Sequence, residues 1–372
     1  MKITDIETIV LRLPEVKPIG DGCQSILLVP VKTDEGITGI GEIHTNPTVS
    51  KAIIEAPLCH VASRGLKEVL LGENPLEIGR LWDKMYAATQ TYGRRGAVMH
   101  AISGVDIALW DILGKAVGQP IHRLLGGARA DRFPIYASDL MPDTTEATVD
   151  LARRHQAAGY RAMKLGWGTL GRSIREDVRR VSAVRSAVGE DMDLMVDIGT
   201  PIPFDDALRL GRAFAELGVY FLEEPLSPDD LEGFRRLVAA SPTPIATGEK
   251  ETTQFAYLDL MERGGLRIIQ PDVARVGGIS ESLRIAALAE ARNVQMIPHC
   301  WATDILVAAT LHVIATLRRC PYLEYNVTDN PLRTDLLTRP IRPVDGIVAV
   351  PTGPGLGIEI NEETVRRYRV NA

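Results

Sequence analysis

The runs DLMVDI (193–198), VYFLEE (219–224), PIATGE (244–249) and LRIIQPD (266–272) are short, apolar and β-rich, and each carries an acid at or near its C-terminal end. Apolar runs of this length, bounded by turn residues, read as buried strands. The pattern extends both ways, with FPIYAS (133–138) and YRAMKL (160–165) before it and VQMIPH (294–299) and YLEYN (322–326) after it. Most gaps hold amphipathic helical segments, of which ATVDLARRHQAAG (147–159), REDVRRVSAVRSAVG (175–189) and SESLRIAALAEARN (280–293) are the clearest. Eight such β-α units between residues 133 and 326 suit a closed barrel of parallel strands better than an open doubly wound sheet. No G-x-G-x-x-G follows any of the strands, which argues further against a dinucleotide-binding sheet.

Ahead of the barrel pattern, KITDIETIVLRL (2–13), SILLVPVKTDEG (25–36) and ITGIGEI (37–43) alternate apolar and polar positions, and Asp34-Glu35-Gly36 supplies a turn. A three-stranded antiparallel meander is expected there. Helical patterning follows from about Ser50 to Val117, with AVMHAISGVDIALWDILGKAVG (97–118) its clearest piece and Gly118 and Pro120 its stop signals. This makes residues 1–125 an α+β domain and residues 126–345 the barrel. The tail, GIVAVPTGPGLGIEI (346–360), reads as strand and turn, and residues 346–372 are expected to pack back on the first domain.

Composition narrows the function classes. At 45% hydrophobic and 24% charged residues the chain is of globular type, which excludes a disordered protein. Its net charge of −6, with no long basic run, argues against a nucleic-acid or anionic-membrane surface. No stretch approaches the roughly 18 uninterrupted apolar residues of a membrane span. Cys23, Cys59, Cys300 and Cys320 lie far apart with no C-x-x-C pair, which fits neither a disulfide framework nor a zinc knuckle. Asp5 and Glu7 interrupt the apolar pattern of the first segment, unlike a secretory leader, and a cytoplasmic enzyme is the expectation.

In a parallel barrel, side chains at the C-terminal ends of the strands share one mouth. Those positions are Lys164, Asp197, Glu223, Glu249, Asp272, His299 and Glu324. One acid at such a place is commonly a loop residue or a helix N-cap. Three on successive strands, Asp197, Glu223 and Glu249, would repel in a partly dry mouth and call for a compensating cation. Oxygen-only ligands select Mg²⁺, or Mn²⁺, rather than zinc. Asp272 ends the strand before His299, and a carboxylate beside an imidazole fixes its tautomer and raises its pKa, which points to an acid/base pair.

The order Lys164, Asp197, Glu223 (in FLEEP), Glu249 (in TGEK), Asp272, His299 and Glu324 resembles the enolase superfamily, and within it the mandelate racemase subgroup. GVDIALWDILGKAVGQPIHRLLGG (104–127) and PDVARVGGISE (271–281) are similar to family segments as well, so the resemblance covers nearly the whole chain. It implies an α+β capping domain, a modified (β/α)₇β TIM barrel and a Mg²⁺-stabilised enolate formed by removing the proton α to a carboxylate. It makes Asp197, Glu223 and Glu249 the metal ligands, Glu224 their neighbour, His299 and Asp272 a dyad, and Glu324 a donor to the substrate carboxylate. It also implies a homo-oligomer, from dimer to octamer.

At Lys164 the chain departs from the subgroup. The family pattern there is Lys-x-Lys with the second lysine as base, whereas this sequence reads Lys164-Leu165-Gly166. With period two, Gly166 faces the same side as Lys164 and leaves the usual base position empty. Either Lys164 reaches into that space as the second acid/base, or His299 works alone. The loops PIGDGCQS (18–25) and HTNP (44–47), with His44 and Asp21, are the candidates for covering the mouth, and Tyr136 and Trp301 are expected to line it. The reaction expected is dehydration of an acid sugar to a 2-keto-3-deoxy acid. The rivals are a cycloisomerase of a sugar lactone or anhydro sugar acid, a racemase or epimerase, and a barrel kept only for binding. A metal-dependent hydrolase would want H-x-H where the chain has Ile135-Tyr136-Ala137-Ser138.

Overall fold

The computed structural model describes residues 1–370. Four antiparallel strands open the chain: β1 (Ile3–Ile6), β2 (Ile9–Arg12), β3 (Ser25–Thr33) and β4 (Thr38–Ile43). β1 and β2 run along one edge of β3, and β4 pairs with the other edge. The expected meander is present, but its first strand is broken at Glu7–Thr8. The cause is Pro30 in β3. Its carbonyl accepts the Glu7 N–H at 2.9 Å, but it has no N–H to return, so the ladder loses a rung there.

The helix Ala97–Val117 lies across β4 and is the spine of this cap. Gly39 and Gly41 allow the contact, because a Cβ on either would come within 2.0 and 1.8 Å of the helix carbonyls of Ala108 and Gly104. Gly118, at φ 66°, ends the helix in the left-handed region and donates to Gly114 O and Lys115 O. By length and composition this helix is apolar enough to cross a membrane. Its apolar side chains instead fill the cap core, with Ile102, Val105, Leu109 and Ile112 all fully buried.

All eight apolar runs form strands: β5 (Arg132–Leu140), β6 (Ala162–Gly166), β7 (Asp193–Asp197), β8 (Val219–Glu223), β9 (Ile245–Thr247), β10 (Ile268–Ile269), β11 (Gln295–Met296) and β12 (Leu323–Asn326). They pair in parallel in the order β11-β10-β9-β8-β7-β6-β5-β12, with one helix between each sequential pair, which is a (β/α)₇β barrel. Among the described residues no ladder joins β11 to β12. The Glu324 side chain bridges that seam by accepting the Cys300 N–H at 2.8 Å.

β9 to β11 are shorter than their sequence runs because Gly248, Pro271 and Pro298 break them. Glu249, Asp272 and His299 therefore stand on loops just past their strands rather than at the strand ends. Inside the barrel, Tyr136, Met195, Phe221, Ile268 and Ile297 form an apolar floor. Two residues further along the chain from each lie Ser138, Asp197, Glu223, Gln270 and His299, the last two just past their strands, so polar groups stand above that floor.

The tail is divided. β13 (Ile347–Ala349) pairs antiparallel with the start of β5 and so belongs to the barrel sheet. Beyond it, Leu356 N donates to Asp111 Oδ1 and Val370 N to Val10 O, both in the cap.

Candidate active site

A cleft of about 740 Å³ separates the cap from the barrel mouth, with His44 on the cap side and Lys164, Asp197, Glu249 and His299 on the barrel side. It opens at the C-terminal face of the strands, where barrel sites are built.

His299 Nδ1 lies 2.7 Å from Asp272 Oδ2, and Asp272 Oδ1 accepts the Ala274 N–H at 2.7 Å. The carboxylate is wholly buried. Burial works to raise its pKa, but Arg275 and His299 overcome that and hold it below the usual carboxylate range. An ionised Asp272 at Nδ1 keeps a proton there and turns Nε2 toward the cleft. Nε2 is 2.9 Å from Glu249 Oε2. Burial disfavours the imidazolium, yet the negative charges of Glu249 and Glu324 push His299 up to about 10.

Asp197 and Glu223 are direct partners across β7 and β8, and Glu249 follows past the next strand. Lys164 Nζ sits 2.8 and 2.9 Å from the two oxygens of Glu223, 2.8 Å from Glu324 Oε1 and 4.0 Å from Asp197 Oδ2. Glu224, next to Glu223, pairs with Lys250. Among the described residues, no three acids, histidines or cysteines converge on a single metal position. The carboxylates pair with Lys164 and His299.

The donor set nonetheless fits a hard divalent cation. Six carboxylates (Asp197, Glu223, Glu224, Glu249, Asp272 and Glu324) face four groups able to carry positive charge (Lys164, Lys250, Arg275 and His299), leaving an excess of two negative charges. Burial, helped by the neighbouring carboxylates, outweighs Lys164 and Lys250 and pushes Asp197 up to about 7, and Glu223 and Glu224 to about 8, marks of carboxylates short of a counter-charge. Oxygen ligands of this kind suit Mg²⁺ or Mn²⁺.

One expectation is corrected, that for Tyr136. Glu324, expected to donate to a substrate carboxylate, here accepts Ser138 Oγ–H at 2.7 Å and Lys164 on Oε1 and the Cys300 N–H on Oε2. Burial would raise it, but Lys164 and His299 outweigh burial and hold it below its ordinary value. Tyr136 was to line the mouth. Its ring is fully buried in the floor, edge-on to Phe221 and Tyr322, and β5 reaches the cleft only from Ser138 onward, one inward position further on.

Asp21 and Trp301 do border the cleft, but as a clasp between cap and barrel. Asp21 accepts from Trp301 Nε1 at 3.3 Å and from Asn330 Nδ2 at 3.1 Å. His44 borders it too, buried to 5% exposure.

Residues 14–126 match the mandelate racemase / muconate lactonizing enzyme N-terminal domain, and residues 147–364 the enolase C-terminal domain-like family. The chain belongs to the mandelate racemase family of the enolase superfamily. It is 33% identical to the D-galactarolactone cycloisomerase of Agrobacterium fabrum, over 100% of this chain and 99% of that one. It is also 33% identical to the arabinonate dehydratase of Saccharolobus solfataricus, over 95% of this chain and 93% of that one. The crystal structure of the 3,6-anhydro-D-galactonate cycloisomerase from Zobellia galactanivorans superposes with a TM-score of 0.90 at 32% identity, covering 100% of both chains.

Within this mandelate racemase-type mouth, sequence reasoning passed over Lys250, His100, Trp167 and the contacts of Arg275. Lys250 follows Glu249 directly, and its neighbour's role was the available signal. His100 begins the cap's long helix, and nothing in the helical period says that this turn faces the barrel. Arg275 lies three residues past Asp272 and reaches back to Asp272 Oδ2 at 3.5 Å and Glu249 O at 3.0 Å.

Proposed function

We propose that the protein removes the proton α to the carboxylate of an acid sugar and expels the oxygen on the next carbon as water, giving a 2-keto-3-deoxy acid. The observation that carries this reading is the His299–Asp272 pair at 2.7 Å, set across the mouth from Lys164 and its strand-end carboxylates.

Asp197, Glu223 and Glu249 would hold a Mg²⁺ ion, or Mn²⁺ in its place. When bound, such an ion supplies positive charge to the enolate and takes over the carboxylates that now keep Lys164 and His299 protonated. Lys164 on β6 and His299 past β11 are separated round the ring by β5 and β12, so they approach a bound acid from different sides. In this reading the free amine of Lys164 takes the α-proton. The electrons left on the α-carbon expel the oxygen of the neighbouring carbon, and His299 Nε2–H protonates it as water. The enol that remains becomes the 2-keto acid. Asp272 holds the Nδ1 proton throughout, so only Nε2 exchanges. Gly166 leaves no second lysine on β6, which disfavours the two-base exchange of a racemase.

A second reading has specific support. The Agrobacterium and Zobellia relatives span this whole chain, and by name they are cycloisomerases of a sugar lactone and an anhydro sugar acid. The step is the same elimination with a ring oxygen as the leaving group, still tethered to the product. A panel of aldonic and aldaric acids, their lactones and anhydro acids separates the two. Product is detected as the semicarbazone of a 2-keto acid and then weighed by mass spectrometry. Dehydration gives a product one water lighter than its substrate, and cycloisomerisation gives one of equal mass. No keto acid from any member of the panel overturns both.

A further inference from the structure

His44 comes from the end of the cap's β4, yet its ring lies nearly parallel to that of His299, 9° apart with centroids 6.4 Å from each other. Its Nδ1 is 3.3 Å from Nη2 of Arg275. A guanidinium has only donors, so Nδ1 must be the acceptor, and a neutral ring then carries its proton on Nε2. The ring is neutral. Burial, with the charge of Arg275 beside it, pushes His44 down to about 3. Among the described residues Nε2 has no hydrogen-bond partner, although the side chain is only 5% exposed.

What faces Nε2 is Gly22, in the short turn Gly22–Gln24 of the cap loop. A Cβ built on Gly22 would stand 2.4 Å from Nε2, so any side chain there would cover the donor. Both Gly22 and His44 border the cleft. The donor is therefore fixed in tautomer from one side and has only Gly22, with no side chain, packed against it on the other, at the border of the same cleft that His299 faces.

We propose that Arg275 is a positioning residue that makes His44 a permanent Nε2–H donor, and that this donor binds the substrate oxygen on the carbon next to the one losing its proton. This rests on the elimination reading above and adds to it a cap residue that selects for an oxygen at that carbon. His44 transfers no proton in this scheme. It orients the leaving oxygen toward His299, much as a neutral imidazole can polarise an oxygen without becoming charged. The cap then takes part in the chemistry through one histidine, and Arg275 links that histidine to Asp272 and Glu249 in the barrel.

The experiment has one arm that needs no turnover. In protein labelled with ¹⁵N-histidine, with His44 assigned through H44Q, long-range ¹H–¹⁵N correlation should show Nε2 protonated and Nδ1 bare. Arg275→Met should scramble that pattern, and Arg275→Lys should restore it in part. An Nδ1–H tautomer in the parent protein, or a pattern unchanged in R275M, overturns the positioning role. In the second arm, on whichever acid the parent protein converts, H44F should lose at least 100-fold in kcat/KM. G22A, which covers Nε2 without touching the tautomer, should lose at least 10-fold. H44F within threefold of the parent overturns the donor role. A parent protein that converts no acid at all contradicts the elimination reading instead, and the tautomer result still stands on its own.

Discussion

Glu42, on the last strand of the cap, accepts a hydrogen bond from Thr303 Oγ1 of the barrel at 2.6 Å, and its carboxylate also takes the backbone N–H groups of Thr303 and Leu306. The carboxylate is fully buried at the N-terminus of the helix Asp304–Ile314, which starts five residues past His299, so it ties the two domains together beside the dyad. Negative charge at a helix N-terminus is favourable. Even so, burial outweighs these contacts and raises Glu42 to about 7.

That shift has a defined sign. A carboxyl whose folded pKa lies above its unfolded value near 4.5 binds protons preferentially in the folded state. Its contribution is complete below pH 4.5 and is lost as pH rises through 7. From the size of the shift the loss is about 3 kcal/mol. The melting temperature of the parent protein should therefore fall between pH 5 and 8 more steeply than that of E42Q. Equal slopes in the two proteins would remove Glu42 as the cause.

The excess negative charge of the mouth predicts a cation effect on stability. After dialysis against a chelator, addition of Mg²⁺ should raise the melting temperature, by an amount equivalent to about 2.7 kcal/mol at a hundredfold excess over Kd. D197N and E249Q should each lose most of that rise. A melting temperature indifferent to Mg²⁺ and Mn²⁺ would contradict a resident divalent ion.

The dyad predicts non-additive losses. D272N removes the charge that fixes the His299 tautomer, and H299N removes the proton carrier itself. Each should lower kcat by roughly 10²- to 10⁴-fold. The double variant should be little worse than H299N alone, because the two residues act as a unit. Additive losses in a kinetic cycle would mean that Asp272 works independently of His299.

Close packing in the cap gives a further expectation. Gly41→Ala forces a methyl group against Gly104 O and should cost at least about 1–3 kcal/mol in stability, read as a lower melting midpoint with the cation effect retained. A midpoint equal to that of the parent would show that the helix Ala97–Val117 can shift away from β4.

The barrel was legible because its strands are apolar runs buried on both faces and its helices keep a clean amphipathic period. The acids at Asp197 and Glu223 were legible for a related reason, since a charged residue ending such a run has nowhere to point but the mouth. Sequence reasoning faltered where tertiary geometry decides. Tyr136 and Ser138 share one face of β5, and only the depth of the floor determines which of them meets the cleft. Nothing near Glu324 in the sequence shows that Lys164, about 160 residues earlier, lies against its carboxylate. The break between β1 and β2 is carried by Pro30 on the neighbouring strand, so the sequence of the broken strand itself gives no sign of it. His44 meets Arg275 across the domain junction, a contact with no local sequence signature.

Proton abstraction next to a carboxylate, followed by loss of the neighbouring oxygen, can be followed by NMR in D₂O, with the protein, Mg²⁺ and a panel of acid sugars, their lactones and anhydro acids, reading the α-proton and the products together. One member of the panel should yield a 2-keto-3-deoxy acid, and H299N should yield none. Deuterium entering the α-position of an otherwise unchanged acid would keep the abstraction and contradict the elimination. No exchange and no product from any member would contradict proton abstraction by this protein.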